Sequence, residues 1–328
     1  MSPVRIKISY PKIWLQYGHW DYLNLTQDGK GRWDNYQFFV NDNNCTECDF
    51  WIIHESLDVT ESVTCPWENI ILIPSEEISQ KATYDQKYAD QFSAIFTSRS
   101  DIQNSNVSRG LYLCAWQVQK TYQELVNLNF PEKHRILSSI VSNNRNNEGH
   151  RQRYNLMNEL KGHFKNNLDW YAKGENFIAD KWDGWIDYQY SIAIENSRLP
   201  YYFTEKLMDC YLAFTMPIYL GGTNMKDFYP EQSYIDLEKY DYLSCVEIIE
   251  NAIANNLAEK NRDAIMEARN LVLKHYQFIP LLINYIEKKQ ASWGSISRKN
   301  KIQPIGNFNK ISLFNKVKSF AFNQLKNS

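Results

Sequence analysis

Several polar side chains of different chemical type lie in a short stretch that follows the apolar and aromatic run 188–194. They include carboxylates, an amide, hydroxyls and an amine: Glu195, Asn196, Tyr202, Thr204, Glu205 and Lys206. A lysine beside the free N–H groups of a helix start suits a phosphate, because the helix dipole places positive charge there. The carboxylate of Glu205 suits a ribose diol, since it accepts hydrogen bonds from two hydroxyls. The stretch therefore predicts a site for a phosphate-bearing ligand.

The elements around this stretch form a strand–loop–helix–strand unit. Residues 188–194 predict a buried strand, Thr204 is a suitable N-cap, and residues 216–220 predict a second strand that ends at a Gly-Gly pair. Such units pair their strands in parallel through a right-handed crossover, and ligands lie at the carboxyl ends of the strands. The polar residues fall at that edge. Taken alone, Glu205 and Lys206 are also typical of an ordinary charged first turn.

Three motifs in this unit resemble the signature of the α-1,3/1,4-fucosyltransferases, glycosyltransferase family 10. They are Glu-Asn-Ser at 195–197, Tyr-Phe-Thr-Glu-Lys at 202–206 and Met-Pro-Ile-Tyr-Leu-Gly-Gly at 216–222. Family members carry a strand ending in Phe-Glu-Asn-Ser, then Tyr-x-Thr-Glu-Lys, then a strand end Pro-(Ile/Val)-x-x-Gly, with this spacing. Ile194 stands where the family usually has Phe, at a packing position.

The rest of the chain predicts two α/β domains. In the first, strands are expected at 5–10, 36–40, 49–54, 69–74, 94–98 and 112–116, with helices at 82–92 and 118–126. The pattern resets near residue 128, with a strand at 135–142, a helix from about Arg151, and closing helices at 241–256 and 259–287, the last kinked or broken at Pro280. With no Walker loop and no G-x-G-x-x-G motif, this organisation suggests an α/β fold of the GT-B class, two Rossmann-like domains facing a cleft. The family resemblance implies the same fold.

The predicted boundaries give three segments. Residues 1–128 form an N-terminal acceptor-side α/β domain, 129–290 a C-terminal nucleotide-sugar-binding α/β domain, and 291–328 a basic, amphipathic tail. Residues 288–328 hold nine Lys or Arg and no Asp or Glu, with an apolar face of Phe314, Val317, Ala321 and Leu325. This pattern suits an interfacial helix on an anionic membrane, and it suits equally a helix docked on the domain or a disordered end.

The resemblance implies that Asn196, Tyr202, Glu205 and Lys206 contact the nucleotide sugar. Glu195 ends the buried strand, where it either positions the sugar or holds the following loop together by accepting backbone hydrogen bonds.

A cation for the pyrophosphate is expected from a second motif. The family has a strand ending in Ser-Asn, then a loop and an Arg with apolar residues three and seven positions on. Ser142-Asn143 and Arg153 fit this pattern, with apolar residues at 156 and 160. Arg151 is the rival, because the residues at its corresponding offsets are Tyr154 and Asn158, a poorer match. An arginine at a helix start opposes the dipole, which indicates an anion nearby.

Glycosyl transfer also needs a base near the acceptor hydroxyl. The family takes this base from a glutamate after a strand of the N-terminal domain. Glu76 stands at the matching place, and Glu77 is the alternative. His54, at the end of another strand, is a fallback base and otherwise an acceptor contact. A direct displacement with one base inverts the anomeric centre.

The activity implied by the resemblance is inverting transfer of L-fucose from GDP-β-L-fucose to a glycan hydroxyl. An α-1,3 linkage to a GlcNAc-type acceptor in a surface polysaccharide or lipopolysaccharide is expected. A related enzyme with another nucleotide sugar, or a non-catalytic glycan- or nucleotide-binding protein of the same fold, is the alternative. No cofactor or metal is expected in addition to the donor GDP-fucose, because GT-B enzymes typically neutralise the pyrophosphate with protein groups. The Cys45-x-x-Cys48 pair has no second pair at zinc spacing, so it does not predict a zinc site.

Composition bounds the class of protein and its location. The 328 residues, 43% hydrophobic and 23% charged, predict a folded chain long enough for two domains. The formal net charge is −2, but residues 288–328 hold nine basic and no acidic residues, so the body is acidic and a nucleic-acid partner is not expected. No signal pattern and no run of 18 apolar residues occurs, which predicts a cytosolic protein, with the tail on the inner face of the membrane as a hypothesis. The sequence does not fix the oligomeric state.

Overall fold

The computed structural model describes residues 2–13, 21–74, 86–172, 176–239, 241–289 and 296–308. Contacts divide the chain into two compact units, one drawn from Met1–Gly18, Gly31–Arg109 and Lys289–Ser328, the other from His19–Lys30 and Gly110–Lys288. The boundary that the sequence suggests near residue 128 remains a prediction.

Within the described ranges the strands, in chain order, are β1 Val4–Ser9, β2 Arg32–Trp33, β3 Tyr36–Val40, β4 Phe50–His54, β5 Glu61–Pro66, β6 Ile70–Ile73, β7 Ala94–Thr97, β8 Val107–Arg109, β9 Arg135–Ile140, β10 Asp169–Tyr171, β11 Tyr188–Ile194, β12 Met216–Leu220, β13 Ile235–Asp236 and β14 Ser297–Ile302. The α-helices are α1 Gln86–Ala89, α2 Tyr122–Val126, α3 Glu148–Phe164, α4 Glu205–Leu212, α5 Tyr242–Ala254, α6 Leu257–Lys260, α7 Arg262–Leu271 and α8 Phe278–Lys288.

The first unit is built on a seven-stranded sheet in the order β2-β3-β1-β4-β6-β7-β8. All its strand pairs are parallel except the short β2–β3 pair. The central strands β4 and β6 are buried along their whole length, which is why they read as continuous apolar runs. The first five predicted strands are confirmed to within about two residues.

The sixth predicted strand, at 112–116, is wrong. The edge strand is β8 at 107–109, and residues 112–116 form no strand although they are buried. The Tyr112 N–H donates instead to the carbonyl of Tyr201 in the second unit. An apolar run that packs as a loop carries the same composition as a buried strand, so periodicity cannot separate the two.

The basic segment near the C-terminus contributes a strand to the first unit. β14 pairs antiparallel with β5, and its residues are exposed except for Asn300, which is partly buried, and Ile302, which reaches the core around Cys45, Cys48 and Cys65. An edge strand of this kind displays lysines to water. The predicted apolar face at 314–325 lies outside the described residues.

The second unit holds a five-stranded, wholly parallel sheet in the order β10-β9-β11-β12-β13. The parallel pairing of β11 with β12 is confirmed, with Ile192 opposite Ile218. The helix predicted from Thr204 is α4, and it packs on both of these strands. Its apolar residues Leu207, Cys210 and Tyr211 are completely buried, as their helical spacing predicts.

The predicted helix at 259–287 is interrupted. α7 runs into a π-helical turn, Val272–Tyr276, and α8 begins after Gln277, whose extended backbone ends the turn. Pro280 therefore lies in the first turn of α8, where its missing N–H costs no helical hydrogen bond. Within the described part of the chain, no helix is long and apolar enough to cross a membrane.

Candidate functional site

The motif residues of the second unit lie at one edge of its sheet. β9 and β11 are parallel, so their carboxyl ends share that edge, and α3 and α4 both begin beyond it. Two helix starts at one edge supply unpaired N–H groups and positive dipole ends.

Glu195 holds this edge together. Its side chain is completely buried, and one carboxylate oxygen accepts hydrogen bonds from the N–H of Thr204 (2.9 Å), from the Thr204 hydroxyl (2.9 Å) and from the Tyr219 hydroxyl (3.3 Å). The other oxygen lies 2.8 Å from the Thr204 hydroxyl and 3.3 Å from Lys206 Nζ. Of the two roles left open for Glu195, the geometry favours holding the loop.

The Gly-Gly pair after β12 is required by close approach. A Cβ atom at Gly221 would overlap the Tyr219 hydroxyl and the side chain of Glu195, and one at Gly222 would overlap the ring of Phe203. These glycines let the end of β12 lie directly against the loop that Glu195 fixes.

Lys206 places a positive charge at the start of α4. Its side chain is 17% exposed, and Nζ lies 3.3 Å from a Glu195 oxygen, 3.1 Å from a Glu205 oxygen and 3.0 Å from the Thr204 hydroxyl. Burial opposes ionisation of Glu205, but the charges of Lys206 and Lys181 outweigh it and lower the pKa of that carboxyl. Glu205 is therefore ionised at neutral pH, which leaves both carboxylate oxygens free of protons and able to accept hydrogen bonds.

Asn196 and Tyr202 form a second contact across the loop. The Tyr202 hydroxyl donates to Asn196 Oδ1 at 2.8 Å, and the Tyr202 ring is almost completely buried beside Tyr112. The half-buried Asn196 amide thus has its oxygen fixed and its NH₂ group oriented.

The structure separates the two candidate arginines. Arg153 is 3% exposed and its Nη2 donates to the Ser142 hydroxyl at 2.8 Å, beside the end of β9. The side chain of Arg151 is half exposed and pairs with Glu148 on the outer surface of α3. Arg153 therefore faces the sheet edge and Arg151 faces water.

Residues 130–258 match the family model of glycosyltransferase family 10 (fucosyltransferase), C-terminal part. This segment is a family 10 domain. It contains the whole site described above, and the resemblance seen in the motifs is confirmed.

The chain is similar to two curated fucosyltransferases and to one solved fucosyltransferase structure. An α-(1,3)-fucosyltransferase of Helicobacter pylori is 28% identical over 138 residues, 38% of this chain and 27% of the relative. An α-(1,4)-fucosyltransferase of Arabidopsis thaliana is 42% identical over 53 residues, 16% of this chain and 13% of the relative. The matched stretches thus span about a quarter and about an eighth of these relatives. A crystal structure of an α1,3-fucosyltransferase superposes with a TM-score of 0.51 at 14% identity, covering 89% of this chain and 91% of that one, and confirms the predicted α/β, GT-B fold class.

His150 is a buried residue beside Arg153 that the motifs did not reveal as a candidate. It lies in the first turn of α3, is 6% exposed, and has its pKa lowered to about 4, first by burial and then by the charges of Arg153 and Lys206. Its position three residues before Arg153 puts both side chains on one helix face. That spacing could have signalled it, had the helix start been placed at Glu148 and not near Arg151.

A second missed cluster lies behind Glu205 in the same unit of the chain. Asp209 is completely buried one turn further along α4 and accepts the N–H of Gln117 at 3.0 and 3.2 Å. Lys181 bonds the side chain of Gln117, and its charge acts on both Asp209 and Glu205. Burial raises the pKa of Asp209 well above its usual range. These residues connect the 110–117 segment to α4 and support Glu205 from behind.

The predicted base lies elsewhere in the chain. Glu76 and Glu77 fall in 75–85, outside the described residues, so their role stays a prediction. His54 ends β4 with no exposed surface, and burial lowers its pKa to about 3, which keeps the imidazole neutral. Across the described ranges no group of His, Cys, Asp and Glu is arranged to hold a metal ion.

Proposed function

We propose that this protein is an inverting glycosyltransferase that transfers L-fucose from GDP-β-L-fucose to a hydroxyl of a glycan. The observation that carries the proposal is the arrangement at the start of α4. There Lys206 and the ionised Glu205 stand side by side at a helix N-terminus, fixed by the buried Glu195, inside a family 10 domain. The names of the two curated relatives favour fucose as the sugar.

The side chains of the sheet edge suit the donor. Lys206 and Arg153 would stabilise the charge that develops on the diphosphate as the bond to the sugar breaks. Glu205 would accept hydrogen bonds from the ribose hydroxyls, and Asn196 and Tyr202 would orient the nucleotide sugar. Their geometry is preorganised by contacts within the domain, so little of it would need to be ordered on binding.

Transfer itself is a single displacement. The acceptor oxygen forms a bond to the anomeric carbon while the bond from that carbon to the phosphate oxygen breaks, and GDP leaves with the electron pair. A base takes the hydroxyl proton, and we assign this role to Glu76, with Glu77 as the alternative. His54 has no exposed surface, so we assign it to the support of the acceptor side from within the domain and not to direct contact with the acceptor. Attack from the face opposite GDP converts the β-linked donor to an α-linked product.

The finer assignments follow the relatives and the chain's charge. We propose an α-1,3 linkage, because the α-(1,3)-fucosyltransferase matches 138 residues of this chain and the α-(1,4)-enzyme 53. A GlcNAc-containing surface glycan precursor is the proposed acceptor. The basic residues beyond 308 would hold the protein at an anionic membrane surface.

Calorimetric titration with GDP, UDP and CDP tests the donor site. We expect selective GDP binding in the wild type and a loss of about 10- to 100-fold in Lys206→Ala, since a charge-assisted hydrogen bond to phosphate contributes roughly 1.5–3 kcal/mol. Lys260→Ala is the matched control, because this lysine is exposed on α6, a helix whose Ala258 N–H bonds the hydroxyl of Tyr190 in the middle of β11 and not the residues at the carboxyl end of that strand. A preference for UDP, or no nucleotide binding, would remove the fucose assignment.

A further inference from the structure

We propose that His150 is a further ligand of the donor, with its imidazole hydrogen-bonded to the diphosphate between Arg153 and Lys206. This inference rests on the proposed function, because it assumes that the sheet edge of the family 10 domain binds GDP-fucose. It adds a neutral third group to the two cations already assigned to the diphosphate.

The backbone of His150 is fixed without help from its side chain. Its N–H donates to Oδ1 of Asn147, the N-cap of the 17-residue helix α3, at 2.7 Å. The preceding residue, Gly149, lies so close to the loop after β11 that a Cβ atom would overlap the backbone oxygen of Asn196. The start of α3 is therefore pressed against the loop that carries the donor residues.

The imidazole is buried and incompletely bonded. Within the described ranges, Nδ1 of His150 has no hydrogen-bond partner, although the residue is 94% buried by its 6% exposure. A buried polar atom without a partner costs free energy, and such atoms in native proteins call for an explanation such as a missing ligand. A bound phosphate oxygen would supply the partner here.

The surrounding charges select an anion. Arg153 acts on His150 from its own helix and Lys206 from α4, and both favour the neutral imidazole. The remaining charges of the first turn, Glu148 and Arg151, are exposed and paired with each other at 2.7 Å. A neutral ring between two cations offers an N–H donor without a third positive charge, so the three groups complement a diphosphate.

The test compares GDP with guanosine, which lacks both phosphates. GDP affinity is measured by calorimetry and guanosine affinity by ligand-observed NMR, which detects millimolar binding. In His150→Ala we expect GDP affinity to fall about 10-fold, about 1.4 kcal/mol, while guanosine affinity stays unchanged. His150→Asn, which keeps an amide donor near the position of Nδ1, should recover most of the loss. His163→Ala is the control, because His163 lies in the last turn of the same helix and pairs with Glu250 at the surface.

The outcomes separate the inference from the proposed function. If the wild type binds GDP but His150→Ala binds it equally well, or loses GDP and guanosine in the same proportion, His150 does not contact the diphosphate and the donor-site assignment stands. If the wild type binds no GDP, both fail. Thermal melts of the free variants establish that each is folded at the temperature of the titration. His150→Ala should melt below the wild type, because truncating a buried ring leaves a cavity.

Discussion

Glu195→Gln tests whether Glu195 holds the donor loop or contacts the sugar. The change preserves volume and keeps one oxygen for the Thr204 N–H, but it places an amide where the second carboxylate oxygen lies 3.3 Å from Lys206 Nζ. Breaking a buried ion pair costs about 3–5 kcal/mol. Because Lys206 is 17% exposed and retains Glu205 at 3.1 Å, we expect a smaller loss of about 2 kcal/mol, since partial solvation weakens the pair.

The assay is unfolding of the protein without donor, by urea and by heat. For a unit of this size, about 2 kcal/mol corresponds to a fall in melting temperature of roughly 4–8 °C. Glu148→Gln is the control, because its pair with Arg151 lies on the exposed surface of α3, where water and salt screen it, and the melting temperature should barely change. An unchanged melting temperature in Glu195→Gln, combined with lost turnover of GDP-fucose, would refute the holding role and restore the sugar-contact role.

Three further predictions follow from the same edge of the sheet and from its opposite end. Gly149→Ala should destabilise the protein by about 1–3 kcal/mol and weaken GDP binding, because the new Cβ atom would overlap the Asn196 backbone. Gly162→Ala on the same helix meets open space and should stabilise the protein by about 0.5–1 kcal/mol. Equal effects of the two substitutions in urea unfolding would contradict this prediction. The difference in free energy of unfolding between wild type and Glu205→Gln should be constant at and above about pH 5. It should shrink as the pH falls below the pKa of Glu205 in the unfolded chain, near 4.5, because the pKa in the folded protein is lower. A difference that stays constant from pH 7 to pH 3 would show that the fold does not stabilise Glu205 as an anion. Lys133→Met should cost about 2–4 kcal/mol in chemical unfolding. The Lys133 Nζ lies 2.7 Å from the carbonyls of Ile186 and Ala213 and 3.1 Å from the Thr215 hydroxyl, and its three N–H groups can donate to all three. No measurable loss would mean that water replaces these bonds.

The unit that carries the donor site could be predicted because its signals are local. The Thr204 N-cap, the apolar spacing of α4 and the Gly-Gly stop after β12 all lie within about thirty residues. Each specifies its element without knowledge of distant contacts, and together they fix the order strand, helix, strand.

The parts that the sequence could not supply depend on long-range packing. β14 reads as a charged segment, and only its pairing with β5, more than 200 residues earlier, makes it a strand. The run 112–116 has the composition of a buried strand, but it joins no sheet, and the Tyr112 N–H donates to the carbonyl of Tyr201. Neither pairing partner can be recognised from local periodicity.

The choice between Arg153 and Arg151, and the discovery of His150, also needed the fold. The three lie within four residues of each other, and a helix start displaced by three residues changes which of them face the sheet. Burial separates them: Arg153 and His150 are buried and Arg151 is exposed. Helix boundaries are the least reliable part of a sequence-based prediction. The sequence therefore does not determine which residues near the start of a helix face the sheet.

The most direct test of the account is NMR observation of GDP-β-L-fucose incubated with the protein and a GlcNAc-containing glycan. The account predicts release of GDP together with a new α-linked fucose signal in the wild type, and neither in Lys206→Ala. Consumption of a UDP-sugar in place of GDP-fucose, or a β-linked product, would contradict it.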